Sequence, residues 1–370
     1  MKDNSDKDSI GLDIGSSHIK AVVARPSRLP MLVRYASSPS KDISLKLMSE
    51  SSEDEDDVVK FLKDFLKENS ISANKVHAVL PEYRIFSKVI TMPLLKGKEF
   101  ESAIKWEAEQ HLPQPIDDVY LKYFVLKEFR TEPTKVHAKG ISESINEITA
   151  SSAEKTLGTM EILLSAAPKN MVERYVKILN KVGLSVGTLE PSSLATIRST
   201  IKPDSNIPTI MLNFGYSNID FYYVTDNKPR FVRTINFGIE SLVRAISQEL
   251  DVSMIQANEY LYTYGLKKDA LNGKIVEIIK PVFDIIVEEL RRSMRYVESK
   301  SSQTKVKRII VAGGGALIPD MMIYLVEIMS LEIQYANPWN SIDISNVDHK
   351  ERLADFGPLF ASAVGAAINL

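Results

Sequence analysis

Two short stretches, 200 residues apart, carry residue types that can bind phosphate groups. The first is Asp13-Ile-Gly15-Ser16-Ser17, followed by Lys20, and the second is Asn213-Phe-Gly215-Tyr-Ser217. Each follows an apolar strand pattern and places a glycine beside hydroxyl side chains. Glycine can take a positive φ, which lets consecutive backbone N–H groups point into one concavity that accepts a phosphate. Two such turns facing each other would bind a polyphosphate from both sides.

The two stretches belong to a longer repeat. At an offset of 200 residues, Asp13 corresponds to Asn213, and the residues that recur unchanged are Ile10, Leu12, Gly15, Ser17 and Ile19. The pattern predicts a second strand after each turn, over 18–24 and over 218–225. One such pattern is typical of an ordinary β-hairpin, whereas a matched pair indicates a duplicated domain.

Three consecutive glycines form a third motif. Gly313, Gly314 and Gly315 follow a predicted strand over 306–312 and precede a helix that begins near Pro319. With no side chains there, a base or ribose can lie against the backbone near a helix N-terminus. Alone, the motif is compatible with a tight strand-to-helix turn. After two phosphate-type turns, it predicts the third wall of a nucleotide site.

Composition excludes several classes of function. The 370 residues are 44% hydrophobic and 25% charged, which suits two similar globular halves. The net charge of −2 gives no basic surface for nucleic acid. The absence of Cys excludes disulfides and thiolate catalysis, and the five dispersed His show no metal-ligand spacing. No stretch is apolar enough to cross a bilayer, so we expect membrane association only through a partner.

The pattern changes at Pro93, where we expect an inserted subdomain over 93–165. Its elements are a helix over 98–111, with Trp106 off the apolar face, and strands over 119–129 and 157–166 joined by a long polar loop. The first half is then 1–92 with 166–200, and the second is 201–353, with a helical part at about 240–305. A final helix at about 354–370 returns to the first half or to the hinge.

Further elements follow from hydrophobic spacing and from Gly and Pro. Residues 37–52 are predicted to be irregular. The other predicted helices and strands are a helix over 56–69, strands over 76–80, 84–92 and 186–190, a helix over 168–182 ended by Gly183, and helices over 239–250, 253–264 and 274–299, the last interrupted by Pro281.

The three glycine motifs resemble the phosphate-1, phosphate-2 and adenosine motifs of the actin-like ATPase fold. More specific similarity lies in Phe100 to Glu109, Leu112 to Asp118, Asn337 to Trp339 and Gly357 to Gly365, which resemble patterns of the PilM family of type IV pilus assembly proteins, related to the division protein FtsA. The resemblance implies an α/β, duplicated RNase H-like two-domain fold with an inserted subdomain of the FtsA/PilM type. It also implies ATP and Mg²⁺ in the cleft.

The resemblance implies roles for individual residues. Asp13 would lie near the waters of Mg²⁺, and Gly15, Ser16, Ser17 and Lys20 would contact the β- and γ-phosphates. Asn213, Gly215 and Ser217 would form the second phosphate turn, and Gly313, Gly314 and Gly315 the adenosine wall. Glu240 would keep an acid near the nucleotide. Glu190 would orient the attacking water, or would instead be a surface acid at a strand end.

The sequence departs from the family pattern at three of these places. Asn213 replaces an aspartate, and an amide brings no charge to Mg²⁺ and cannot act as a base. Asn258 and Leu261 stand where the family often has a Glu and a Lys that hold the nucleoside. We therefore expect an ATP binder that is at most a weak ATPase.

The resemblance also implies partners and a location. The cytosolic N-terminal peptide of a PilN-like membrane protein would bind in a groove between the first half and the inserted subdomain, and the pilus assembly ATPase is a further candidate partner. The chain would be cytoplasmic, held at the inner face of the cytoplasmic membrane through its partners. Three alternatives stay open, namely an FtsA-like division protein, a small-molecule kinase of the same fold, and an interaction module that ignores nucleotide.

Overall fold

The computed structural model describes residues 8–40, 42–130, 158–300, 305–348 and 350–369. The chain divides into a larger unit, Met1–Ile85 with Ala167–Leu370, and a smaller unit, Phe86–Ala166. The smaller unit thus begins at Phe86 rather than at 93, because the strand that starts there pairs along its whole length with a strand of that unit. The polar loop expected before residue 157 lies outside the described residues.

Strands and helices alternate along much of the chain. The strands are β1 (Ser9–Ile14), β2 (His18–Arg25), β3 (Met31–Pro39), β4 (Lys75–Leu80), β5 (Phe86–Pro93), β6 (Val119–Arg130), β7 (Gly158–Pro168), β8 (Ser185–Pro191), β9 (Thr209–Phe214), β10 (Ile219–Thr225), β11 (Lys228–Ile235), β12 (Arg308–Ala312) and β13 (Glu332–Tyr335). The helices are α1 (Ile43–Leu47), α2 (Ser52–Glu68), α3 (Gly97–Glu109), α4 (Lys169–Val182), α5 (Ser192–Thr200), α6 (Ile239–Leu250), α7 (Met254–Tyr264), α8 (Lys274–Lys300), α9 (Met321–Met329) and α10 (Leu353–Ala367).

Two five-stranded sheets of the larger unit have the same topology. One has the order β3-β2-β1-β4-β8 and the other β11-β10-β9-β12-β13. In each, the first three strands pair antiparallel and the last two extend the sheet in parallel. The duplication predicted from the repeat is therefore confirmed. We call the first sheet with α1, α2 and α4 the first half, and the second sheet with α6 to α9 the second half.

The first half forms its core around strands that are apolar on both faces. β1 and β4 are almost entirely buried, as expected for strands in the parallel part of a sheet covered by helices. α2 starts at Ser51, whose side chain accepts a hydrogen bond from the Asp54 backbone, and α4 ends at Gly183 with φ of 100°. The predicted left-handed end of α4 is thus confirmed.

The second half has a larger helical part. α7 begins with a capping box between Ser253 and Gln256. α8 is a single 27-residue helix. It continues through Pro281, which lies near its N-terminal end. Its buried face, with Ile279, Phe283 and Leu290, packs in one core with α6 and α7. The interruption predicted at Pro281 is therefore wrong, because α8 does not end or restart there.

α5 and α10 pack against both sheets and connect the halves. A Cβ on Gly11 of β1 would lie 2.0 Å from the Ala363 carbonyl oxygen of α10, and a Cβ on Gly365 would lie 1.8 Å from the Ala195 carbonyl oxygen of α5. Backbone approaches this close exclude any larger residue. The final helix therefore packs against β1 with no side chain between the two backbones at Gly11.

The smaller unit is a three-stranded sheet, in the order β5-β7-β6, with one helix. Ile104 and Ala108 of α3 are buried in its core, whereas Trp106 is 60% exposed. Trp106 thus lies off the apolar face, as predicted from the helical spacing. Across the described ranges of both units, no helix combines the length and apolar character that a membrane crossing requires.

Candidate nucleotide-binding site

The two predicted phosphate turns have the same backbone geometry. The Gly15 N–H donates to the His18 carbonyl at 3.1 Å, and the Gly215 N–H donates to the Asn218 carbonyl at 3.0 Å. Neither glycine has a positive φ, so the positive φ expected from the sequence is wrong for both turns. Glycine is required instead because a Cβ would lie 2.9 Å from the accepting carbonyl oxygen in both turns.

Both turns face one cavity of about 640 Å³ between the halves. The cavity lies where β1, β4, β9 and β12 end, at the carboxyl edge where ligands of α/β sheets commonly bind. Lining residues predicted from sequence are Asp13, Gly15, Ser16, Ser17, Lys20, Asn213, Gly215, Ser217, Gly313 and Gly314. The structure therefore brings residues near 13 and near 213 together, as the repeat predicts.

The first hairpin holds an ion pair at the cavity wall. Lys20 Nζ donates to Asp13 Oδ2 at 2.9 Å, and Ser362 of α10 donates to the same oxygen at 2.7 Å. The two residues are directly opposite each other in the β1–β2 pairing. Burial, with a contribution from the Lys20 charge, lowers the pKa of the adjacent His18. Lys20 is therefore the cationic group of this wall.

The second hairpin places an acid where the first has a lysine. Asp220 is opposite Asn213, whose amide donates to Asp220 Oδ2 at 3.3 Å. Thr234 donates to Asp220 Oδ1 at 2.6 Å, and Tyr222 donates to Oδ2 at 3.1 Å. Burial raises the pKa of Asp220 to about 6. The sequence reasoning missed Asp220, although the offset of 200 residues pairs it with Lys20.

The glycine triplet contributes two of its members to the cavity. Gly313 has φ of 82°, and a Cβ there would lie 2.4 Å from the Phe214 carbonyl oxygen. Gly314 faces the cavity beside Tyr262, whose hydroxyl donates to the Gly314 carbonyl at 3.3 Å. Gly315 does not line the cavity, because a Cβ on it would lie within 2.1 Å of the Phe214 ring.

On the side of the cavity where the nucleoside is expected, only one of the two residues identified from the sequence faces the cavity. Asn258 lines the cavity, whereas Leu261 is fully buried in the core of the second half. The next residue, Tyr262, faces the cavity in its place. Burial raises the pKa of Tyr262 to about 12, so its hydroxyl stays protonated at neutral pH. A flat ring and a hydroxyl thus border the space beside Gly314.

Two predicted acidic residues lie away from the cavity. Both guanidinium end nitrogens of Arg198 donate to the Glu190 carboxylate at 2.6 Å, and Glu190 is not among the described residues that line the cavity. Glu240 forms an i,i+4 ion pair with Arg244 at 2.7 Å and does not line it either. The expected placement of these two side chains beside the nucleotide therefore differs from the structure.

Glu82 is a buried carboxyl that the sequence reasoning missed. It follows β4, lines the cavity and is only 3% exposed. The Ser193 backbone N–H donates to its Oε2 at 2.9 Å, while its Oε1 has no hydrogen-bond partner. Burial, with a contribution from Asp220, raises the pKa of Glu82 to about 7. A carboxylate that follows a buried parallel strand is a signal that would have found it.

Two sheets of identical topology, with phosphate-type turns facing one cavity, define the actin-like class of fold. The chain is similar to the ethanolamine utilization protein EutJ from Carboxydothermus hydrogenoformans, with 12% identity, 98% of this chain and 89% of that chain covered, and a TM-score of 0.53. It is also similar to MreB5 of Spiroplasma citri bound to ADP, with 12% identity, 98% and 96% covered, and a TM-score of 0.52.

The sequence matches the family described as type IV pilus assembly protein PilM over residues 11–140 and 145–370. The chain therefore belongs to the PilM family. A chain of the PilM–PilN type IV pilus biogenesis complex has 23% identity to it, with 97% of each chain covered and a TM-score of 0.78. These comparisons confirm both the fold and the family expected from the glycine motifs and the segments around Trp106 and Trp339.

Proposed function

We propose that this protein is an ATP-binding scaffold of the type IV pilus assembly platform, which binds the cytosolic peptide of a PilN-like membrane protein. Membership of the PilM family supports the assembly role. The observation that carries nucleotide binding is the cavity of about 640 Å³ that both phosphate-type turns face. Related folds solved with ADP and with AMPPNP support the same ligand class.

The charges around the cavity favour nucleotide in complex with Mg²⁺. Among the described lining residues, Lys20 is the only Lys or Arg, and it already pairs with Asp13. One lysine cannot balance a polyphosphate beside three carboxyl groups, so a divalent cation is needed to neutralise the phosphate charge.

Asp13 is suited to hold that cation through water. Both of its hydrogen bonds reach Oδ2, which leaves Oδ1 for a metal-bound water. Mg²⁺ keeps several waters and needs few direct protein ligands. No group of three or more His, Cys, Asp or Glu suited to holding a metal occurs within the described ranges.

Hydrolysis is proposed to be slow or absent. Asn213 occupies the second turn as an amide, which cannot accept a proton from water. Glu190, the other candidate, is bound by both end nitrogens of Arg198, an arrangement that holds it as a charged structural partner. The expected enzyme activity is at most a weak ATPase.

Titration with a fluorescent ATP analogue, with and without Mg²⁺, tests the ligand assignment. We expect saturable binding that is tighter with Mg²⁺. Replacing Gly314 by Val should weaken it, because the new side chain would enter the space beside Ile239 and Tyr262. No saturation up to millimolar nucleotide would leave a scaffold with a relict cleft.

The smaller unit supplies a surface for the partner peptide. Trp106 exposes 60% of its surface on α3, and large exposed aromatic residues are frequent anchors of protein interfaces. We propose that this side chain contacts the PilN-like peptide, and that the chain is held at the inner face of the cytoplasmic membrane by that contact. The assembly ATPase remains a further proposed partner.

Peptide binding tests this assignment with a matched pair of variants. Trp106→Ala should weaken binding of the cytosolic PilN-like peptide without changing the unfolding midpoint. Ile323→Ala, which removes a similarly exposed apolar side chain of α9, should leave binding unchanged. Equal affinity of the Trp106 variant and the wild type would contradict the assignment, and direct binding to lipid vesicles would favour the FtsA-like alternative.

A further inference from the structure

Four oxygen atoms form a continuous hydrogen-bonded chain between the two halves. Ser192 Oγ lies 3.2 Å from Glu82 Oε2 and 3.2 Å from the Tyr222 hydroxyl, which in turn lies 3.1 Å from Asp220 Oδ2. Glu82 belongs to the first half, and Asp220 belongs to the second. All of these groups are buried, and both carboxyls line the cavity.

The number of protons in this chain fixes its charge. Three oxygen–oxygen contacts need three protons to be hydrogen bonds, while the hydroxyls of Ser192 and Tyr222 supply two. The third must come from one of the two carboxyls. If both carboxyls were ionised, each hydroxyl would donate to its own carboxylate. The Ser192 and Tyr222 oxygens would then face each other with no proton between them. The chain therefore requires at least one protonated carboxyl at its ends.

Glu82 is the better holder of that proton. Asp220 receives hydrogen bonds from Thr234, Tyr222 and Asn213, which stabilise a carboxylate. Glu82 Oε1 has no partner, and an unpartnered oxygen costs less in a neutral acid than in a carboxylate. The pKa values agree with this order, since that of Glu82 is raised to about 7 and that of Asp220 to about 6.

We infer that Glu82 and Asp220 share one proton across the two halves, and that nucleotide binding in the cavity draws a further proton onto this pair. The inference rests on the proposed nucleotide site and adds its regulation by protons. An anionic ligand beside a carboxylate disfavours the charged form of that carboxylate. When Asp220 binds the second proton at Oδ1, the Thr234 hydroxyl can rotate to accept a hydrogen bond from it, so the pair has room for that proton.

The surroundings leave Asp220 as the charged group that acts on Glu82. The β10 strand contributes Asp220 and Tyr222, and Asp220 raises the pKa of Glu82. Charged residues of the neighbouring elements are bound elsewhere, namely Arg198 of α5 by Glu190, Arg230 of β11 by Asp226, Arg233 of β11 by Glu289, and Lys20 by Asp13. Arg84 lies over the Tyr83 ring.

Infrared spectroscopy of the nucleotide-free protein tests the shared proton. A neutral carboxylic acid has a carbonyl band that carboxylates lack, and we expect this band near pH 7. Glu82→Gln should remove it. Asp220→Asn should also remove it, because the new amide can donate to Tyr222 and let Glu82 ionise. Glu55→Gln is the matched control, since Glu55 is equally buried but lies in α2 with a pKa lowered to about 2.

Calorimetric titration of ATP with Mg²⁺, in buffers of different ionisation enthalpy, tests the coupling. The wild type and the Glu55 variant should take up a fraction of one proton per nucleotide near pH 7, and the Glu82 variant less than half as much. Survival of the carbonyl band in both the Glu82 and Asp220 variants would overturn the shared proton.

The two proposals fail in distinguishable ways. Nucleotide binding without proton uptake would overturn the coupling alone. Absence of binding would overturn the proposed nucleotide site and the coupling together, while the carbonyl band would still report the proton. Because the band is measured without nucleotide, its result does not depend on the ligand assignment.

Discussion

The two hairpins have one backbone and opposite electrostatics. Gly15 and Gly215 close their turns with hydrogen bonds of 3.1 and 3.0 Å, and each excludes a Cβ at 2.9 Å. Yet the pair across the first hairpin is Asp13 with Lys20, and across the second it is Asn213 with Asp220. Both halves therefore keep the glycine that the turn requires sterically, whereas the charged residues beside it differ with the surroundings of each half.

The surroundings explain the difference. Lys20 and Asp13 keep some solvent exposure, with side chains 13% and 16% accessible, so a charged pair is tolerated there. Asp220 is buried at the junction of the halves, where a charge must be satisfied by several donors. Lys20 thus supplies the cation of the cavity wall in the first hairpin, whereas the charge of the wall in the second hairpin depends on whether Asp220 is protonated.

The largest expected effect concerns the strands behind the two turns. Gly11 of β1 corresponds to Met211 of β9 at the offset of 200 residues, and the glycine fits the close approach of the α10 backbone to β1. Gly11→Ala would place a Cβ 2.0 Å from the Ala363 carbonyl oxygen and 2.3 Å from the Ala367 nitrogen. Since backbone atoms cannot rotate away, we expect a loss of about 3 kcal/mol or more in the free energy of unfolding, measured in urea.

Met211→Leu is the control in the other half. It conserves volume at a fully buried site, so we expect a cost of less than about 1.5 kcal/mol. Similar costs for the two variants would contradict the close approach of the α10 backbone at Gly11.

The next effect concerns the charge of the first hairpin. Lys20→Met removes the lysine of the cavity and leaves Asp13 without its ion pair. We expect affinity for ATP with Mg²⁺ to fall about 10- to 100-fold, as for the loss of a charged hydrogen bond. Fluorescent nucleotide titration measures this. Lys67→Met, at an exposed position of α2, should bind as the wild type does, and an unchanged affinity in the Lys20 variant would contradict phosphate pairing.

The fold was predictable where strands are apolar and glycines mark turns. The buried strands β1, β9 and β12 have continuous apolar runs, and a strand was predicted at each of them, with the strand predicted over 306–312 beginning at Arg308 in the structure. β3, β11 and β13 were not predicted, because all three lie at sheet edges and are partly polar or short. An edge strand is specified by pairing with its neighbour, which a local pattern does not reveal.

The residues of the two turns could be predicted from the sequence, whereas the buried acids of the cavity could not. Glycine and hydroxyl residues identified both turns that line the cavity without any knowledge of the fold. Glu82 and Asp220 acquire their properties only where the two halves meet, and Glu190 is directed to Arg198 by the packing of α5. Sequence spacing places a residue on an element but does not give the direction of its side chain.

A further substitution tests the second hairpin by giving it the aspartate that the family resemblance implies. Asn213→Asp would place a second carboxyl about 3.3 Å from that of Asp220. Two carboxyls this close cannot both ionise without mutual repulsion, so we expect a loss of about 2 kcal/mol in unfolding free energy above the Glu82 pKa of about 7. Urea unfolding measures it.

The same substitution should cost less as the pH falls, because the added carboxyl is then protonated. Asn218→Asp, in the same turn but facing Asn236 rather than Asp220, should show little pH dependence. Equal stability of the Asn213 variant and the wild type at high pH would contradict a crowded, buried acid in the second hairpin.

The smallest expected effect is the pH dependence of stability in the unmodified cavity. Folding raises the pKa of Glu82 from 4.5 to about 7 and that of Asp220 from 3.8 to about 6. The folded state then binds more protons than the unfolded state, so stability is complete below the unfolded values and falls as the pH rises toward 7. Glu82→Gln should reduce this slope, by an amount on the order of 1 kcal/mol across the interval. Glu55→Gln should leave the slope in place, because the Glu55 pKa is lowered to about 2 and its contribution is lost only in more acidic solution. A slope of the same size in the Glu82 variant and in the wild type would contradict a raised pKa of the carboxyl at the junction between the hairpins.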